Sequence, residues 1–137
     1  TMNLDLGLKE LHKPVAVNVG NPHCVFFVDD VETINADAIG RQVEIHTLFP
    51  ERTNVEFAQI HAPDKIRVRV WERGCGITKA CGSGACATIV AAASRGLADR
   101  RAEVILDGGS LCLEWRDEDD HILMSGPVSY VFDGILK

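Results

Sequence analysis

Cys81-Gly82-Ser83-Gly84 leads directly into an apolar run, Ala85-Cys86-Ala87-Thr88-Ile89-Val90-Ala91-Ala92-Ala93. A helix start leaves its first N–H groups without internal acceptors and carries the positive end of the helix dipole. A thiol placed there is drawn toward thiolate, and a carboxylate can dock beside it. Together those features suit proton abstraction from a carbon next to a carboxylate.

With Cys81, the other cysteines, Cys24, Cys75, Cys86 and Cys112, make an odd total of five without C-x-x-C spacing or the density of a secreted scaffold. No metal site is expected, and these four read mostly as small buried hydrophobes. Only Cys81 sits among glycines at a helix start, where a thiol would be both accessible and activated. A rival motif overlaps it: Gly82-Ser83-Gly84-Ala85-Cys86-Ala87 fits G-x-G-x-x-A, with Glu103 about 20 residues on. Its context fails, because Gly74–Ala80 is not the apolar strand that must lead into the glycines, and no run of βαβ units follows.

The elements that must position this turn are mostly strands. Val15–Val19 and Cys24–Val28 flank the turn residues Gly20-Asn21-Pro22-His23. Asn35 can cap a short helix reaching about Glu44, with Ile34 stapled onto Ile39. Val55–Ile60 and Lys65–Trp71 flank Ala62-Pro63-Asp64, and Ile66, Val68 and Val70 alternate with Arg67 and Arg69 as a half-buried strand requires. Glu103–Leu106, Ser110–Trp115, His121–Ser125 and Ser129–Leu136 supply further strands. The central helix, from about Gly84 to Arg95, is apolar all round, so other structure must wrap it. The expected fold class is α+β: a mixed, curled sheet or barrel around a central apolar helix, in a single domain over 1–137.

The bounds agree. The chain has 137 residues and 46% hydrophobic composition, enough for one core. A net charge of −6 and scattered basic residues argue against nucleic acid. No apolar stretch reaches the roughly 18 residues needed to span a bilayer, and the N-terminus lacks the layout of a signal peptide. The expectation is a soluble, cytoplasmic protein with no membrane partner.

Three fragments then add up. GNPHCVFFV at 20–28, PERTNVEF at 50–57 and WERG followed by ACGSGACA at 71–87 resemble the second half of the diaminopimelate epimerase family, as do DGGSLCLEW and LMSGPV near the end. The resemblance implies a cofactor-independent amino-acid epimerase of two similar lobes with the site in the cleft between them, converting LL-2,6-diaminopimelate to the meso isomer for lysine and peptidoglycan synthesis. Only the second lobe is matched; the first, which brings the other thiol, has no counterpart in this chain.

The resemblance also implies roles. Cys81 becomes an acid/base thiol. The N–H groups of Gly82 and Ser83, and of Gly84 as a further candidate, would hold the reacting carboxylate and stabilise enolate-like charge; capping the helix uses the same donors. Glu72 would accept from the distal ammonium and Arg73 would grip the distal carboxylate. Neighbours in a regular strand face opposite ways, but Gly74 and Gly76 suggest that the strand breaks there, letting both serve one ligand. Asn21 and Asn54 offer amide donors and acceptors, against the alternative that each only braces a turn. His23 is a further candidate; His12, His46, His61 and His121 carry no pattern.

Inverting a carbon needs a base on one face and an acid on the other. Cys86 is rotated by about 140° from Cys81 along the helix, and so cannot be the second thiol. Cys75 fits the backbone turn better. Three alternatives remain: a related proline racemase-type isomerase, a catalytically inert isolated lobe, or half of a split enzyme whose partner is the missing lobe or a second copy across a homodimer interface.

Overall fold

In the computed structural model, which describes residues 2–3, 5–8, 11 and 13–136, the strands join one mixed sheet with a helix on each face. In chain order the elements are β1 (Met2–Asn3), β2 (Val15–Asn18), β3 (Pro22–Phe27), α1 (Ala36–Glu44), β4 (Asn54–Ala62), β5 (Lys65–Glu72), β6 (Gly76–Thr78), α2 (Gly82–Ser94), β7 (Arg101–Leu106), β8 (Gly109–Trp115) and β9 (Ile122–Ser125). The ladder runs β1-β2-β3-β4-β5-β7-β8-β9, with β6 folded back on β5. Two pairs, β3/β4 and β5/β7, are parallel. A parallel pair needs a crossover connection, and α1 and α2 lie within the two crossovers.

Strand alternation separates two cores. Val25, Ala58, Ile66, Val68, Val70, Val104 and Leu113 face α2, where they meet Ala85, Ile89 and Ala92. Cys24, Phe26, Val55, Phe57 and Trp71 face the other way and meet Ala36 and Val43 of α1. Phe26 and Phe57 stack there with ring centroids 5.7 Å apart. The parallel register of β3 and β4 brings those two rings opposite each other.

The expectation of a curled sheet around an apolar helix is met: α2 touches β2, β3, β4, β7, β8 and β9. Its first residue is Gly82, two positions earlier than the sequence suggested, so Gly82-Ser83-Gly84 form the first turn. Gly96 takes a φ of +66° just past its end, a stop that favours glycine. Asn35 caps α1 as expected, accepting from the Ala38 N–H at 3.2 Å, and Ile34 and Ile39 both pack on the outer core.

Residues 129–136, expected as a last strand, form none. A strand exists only as one side of a ladder. Here Tyr130, Val131, Phe132, Ile135 and Leu136 are exposed and β9 is the last member of the sheet. Two short strands, β1 and β6, were not expected; β1 is fixed by its pairing with β2, and β6 by folding back on β5 across the tight turn at 73–75. His12 lies outside the described residues.

Candidate active site

The same alternation that buries the inner core aims polar side chains at the start of α2. His23 of β3, Asn54 and Glu56 of β4, and Glu72 of β5 share the phase of Val25, Ala58 and Val70. Cys81 is the N-cap residue, extended at φ −142° and ψ 110°. Its Sγ accepts from the Gly84 N–H at 3.3 Å, and its carbonyl accepts from the Ala85 N–H at 3.0 Å. Gly82 and Ser83 therefore carry the N–H groups that have no acceptor inside the helix.

A chain of side chains leads away from the sulfur. Ser83 Oγ lies 3.5 Å from Cys81 Sγ, and Asn21 Nδ2 donates to Ser83 Oγ at 3.3 Å. Asn21 Oδ1 is 3.0 Å from His23 Nε2, and His23 Nδ1 is 2.6 Å from Glu56 Oε1. His23 and Glu56 are fully buried as side chains. A groove of about 610 Å³ opens beside Ser83, lined by Val17, Val19, Cys86, Val90 and Trp115 among others.

Burial decides the electrostatics. Cys81 is only 7% exposed, not accessible as the sequence suggested. Burial pushes its thiol above the usual cysteine range; the bonds from Ser83 and Gly84 pull it down, while Glu72 and Glu56 push it up again. The expected drift toward thiolate is thus overturned in this chain, because the helix-end donors meet both desolvation and two carboxylates. Burial also raises the Glu56 carboxyl; the bond and charge of His23 offset part of this, and Glu72 adds to it. Glu56 Oε2 has no hydrogen-bond partner.

The cysteine expectation needs a second correction. Cys24 is buried, but Cys75 and Cys112 are exposed and Cys86 is intermediate. Cys75 sits in the turn after β5, its N–H bonded to the Glu72 carbonyl at 3.0 Å.

Of the residues singled out from sequence, Cys81, Gly82, Ser83, Gly84, Asn21, His23 and Glu72 gather at this one end of α2. Glu72 accepts from Thr78 Oγ1 at 2.5 Å, and its charge acts on both Cys81 and Glu56. Asn54 braces the backbone instead: Oδ1 accepts from the Arg73 N–H at 2.9 Å and Nδ2 donates to the Pro22 carbonyl at 3.0 Å. Arg73 sends its guanidinium to the Glu51 carbonyl at 2.9 Å. Glu72 ends its strand while Arg73 begins the turn, and the two side chains hold different partners, the Thr78 hydroxyl and the Glu51 carbonyl.

Glu56 was not singled out. Its signal was present: it is the one charged residue in Asn54–Ala62, and it shares the phase of Ala58. Among the described residues no group of three His, Cys, Asp or Glu side chains is placed to hold a metal ion, and no helix is long and apolar enough to cross a membrane.

A curled mixed sheet around a helix is a fold that solved structures share. The chain is similar to a phenazine biosynthesis protein of the PhzF family from Bacillus anthracis, with a TM-score of 0.53, 18% identity, and coverage of 83% of this chain and 38% of that one. A PhzF-family protein from Enterococcus faecalis gives a TM-score of 0.52 at 14% identity, covering 72% of this chain and 35% of that one. At such identities the likeness concerns the fold alone.

Sequence carries the particular family. The diaminopimelate epimerase family model matches residues 15–131. Proteins named diaminopimelate epimerase are 57% identical over 136 residues in Acidiphilium cryptum and 54% identical over 137 residues in Bacteroides thetaiotaomicron. The matches cover 99% and 100% of this chain but 49% and 51% of those proteins. This chain belongs to the diaminopimelate epimerase family, and it spans about half the length of the curated relatives it matches.

Proposed function

We propose that this chain is the second lobe of a diaminopimelate epimerase and supplies one of two opposed acid/base thiols, Cys81, for interconverting LL- and meso-2,6-diaminopimelate. The observation that carries the reading is Cys81 Sγ at the N-cap of α2, beside the unpaired N–H groups of Gly82 and Ser83. The Cys81 thiolate takes the α-proton from one face, and the C–H electron pair passes into the adjacent carboxylate as enolate-like charge. The Gly82 and Ser83 N–H groups stabilise that charge, and a thiol on the opposite face returns a proton. No redox change occurs and no cofactor is required. A substrate ammonium seated at Glu72 cancels one of the charges that hold the Cys81 thiol up, so binding itself favours the base form. Arg73 serves the distal carboxylate only after leaving the Glu51 carbonyl. Asn21 and His23 contribute through the hydrogen-bond chain, and Asn54 through the turn it braces.

The missing face of the carbon must come from a complementary lobe. Five free cysteines fit a reducing, cytoplasmic setting. Coverage of only half of the relatives' length favours the second reading for the isolated chain, a lobe inert by itself. Incubation with diaminopimelate in deuterium oxide, followed by chiral analysis, tests both. The lone chain is expected to give no LL–meso interconversion, and addition of a complementary lobe as a separate chain is expected to restore it. Full epimerisation by the lone chain would overturn the two-lobe reading and point to Cys75 or a second copy as the source of the other thiol.

A further inference from the structure

Glu56 has a burial that a mere brace does not require. It is the charged member of an apolar strand, it has no exposure, and its Oε2 is left without a partner. Leaving a buried carboxylate oxygen unpaired costs stability. Such a cost is retained where a site needs the group. Space for it is also provided: a Cβ on Gly84 would lie 2.8 Å from Glu56 Oε1 and 3.3 Å from Cys81 Sγ, so only glycine lets the carboxylate and the thiol share the first turn of α2.

We propose that Glu56 is a positioning residue: by holding His23 at Nδ1, it orients a run of hydrogen-bond donors through Asn21 and Ser83 onto Cys81 Sγ. The directions follow from the contacts. Asn21 Nδ2 donates to Ser83, so Asn21 Oδ1 faces His23 and the ring must carry its hydrogen on Nε2. Ser83 Oγ, already accepting from Asn21, has its own hydrogen free to donate to Sγ. Each donor beyond the ring therefore points one step nearer the sulfur, and the last of them, Ser83 Oγ, contacts it, the arrangement that favours a thiolate. Glu56 fixes the ring from its other side across 2.6 Å. The titratable groups around Glu56 are His23 and Cys24 on β3, Glu72 on β5 and Cys81 at the start of α2.

This inference rests on Cys81 as the reacting thiol, but its test needs no turnover, so it can fail while the epimerase reading stands. Iodoacetamide alkylation of the 137-residue chain, with Cys81 followed by peptide mass mapping across pH, reads thiolate availability. Proton NMR reads a strongly downfield proton held between His23 Nδ1 and Glu56 Oε1, the mark of a short bond between them. Glu56→Asp keeps the charge but withdraws the carboxylate by one methylene. It is expected to lose the downfield signal and slow Cys81 alkylation at neutral pH roughly tenfold, the scale of one hydrogen bond to a charged group. Asn21→Ala cuts the chain midway, and is expected to slow alkylation similarly while keeping the downfield signal. The double substitution should be no slower than either alone. A purely structural Glu56 would leave the alkylation profile of folded Glu56→Asp unchanged. That outcome overturns the proposal, as does absence of the downfield proton in the unsubstituted chain or normal alkylation in Asn21→Ala. Should Glu56→Asp not fold, the last two measurements decide.

Discussion

Two buried glutamates, one on each side of the sheet, are treated in opposite ways. Glu44, at the end of α1, accepts from the Trp71 indole N–H at 2.7 Å, the Gly74 N–H at 3.1 Å and Arg52 at 3.4 Å. Burial pushes its carboxyl up, but these bonds outweigh it and hold the group below the usual carboxylate range. Glu56, under α2, has a single imidazole for one oxygen and nothing for the other, and its carboxyl is pushed up. A carboxylate saturated with donors locks a scaffold. One left under-satisfied beside a thiol, a histidine and a second carboxylate is poised to respond to what enters the site.

The comparison is sharpened most by separating chemistry from stability. Cys81→Ser is expected to reduce epimerisation, assayed with the complementary lobe present, by roughly 10²–10⁴-fold, the span of general acid–base catalysis. The urea midpoint and far-UV circular dichroism should stay unchanged, since serine fills the same cap position. Retention of most turnover would remove Cys81 from the reaction.

Glu44→Ala should do the reverse. It strands the Trp71 and Gly74 donors in the outer core, at about 1–3 kcal/mol each for buried unpaired groups. A loss of about 3 kcal/mol in urea unfolding is expected, with the alkylation rate of Cys81 unaltered in the folded protein. A changed Cys81 rate would mean that the two faces are coupled, and would break the comparison.

Gly40 probes the same outer face more gently. A Cβ there would lie 2.5 Å from Trp71 Cγ and 2.6 Å from Trp71 Cβ, atoms too near the backbone to swing away. Gly40→Ala is therefore expected to destabilise by about 1–3 kcal/mol through overpacking, although alanine is favoured over glycine within a helix by up to about 1 kcal/mol. A gain in unfolding free energy would show that α1 can shift outward freely.

What the sequence revealed about each face follows from range. The turn Cys81-Gly82-Ser83-Gly84 and the apolar α2 were legible because a cap and a helix face are local patterns. So were Val55–Ile60 and Lys65–Trp71, which pair as an antiparallel hairpin. Glu56 was not, because its meaning depends on His23 across a parallel strand pair that no local pattern announces. The burial of Cys81, which reverses the expected direction of its thiol, is likewise a tertiary effect. Residues 129–136 have strand-like composition, but composition cannot supply a ladder partner.

The smallest effect, and the one that reads the two carboxylates directly, is the pH dependence of stability. For Glu44 the folded value lies below the unfolded one, so between them the unfolded chain binds more protons. The stability it supplies is present in full above the unfolded carboxyl's value of about 4.3, and is lost as pH falls through the folded value. Glu56 has the opposite sign: its folded value is raised, so the native state binds more protons and stability declines as pH rises from the unfolded value through the folded one. Urea midpoints measured from strongly acidic pH, below the unfolded carboxyl's value, up to neutral pH should show Glu44→Gln removing part of the acid-side loss and Glu56→Gln removing part of the decline on the neutral side. Parallel curves for the two variants would mean that both carboxylates are held alike, and the contrast between scaffold and site would have to rest on geometry alone.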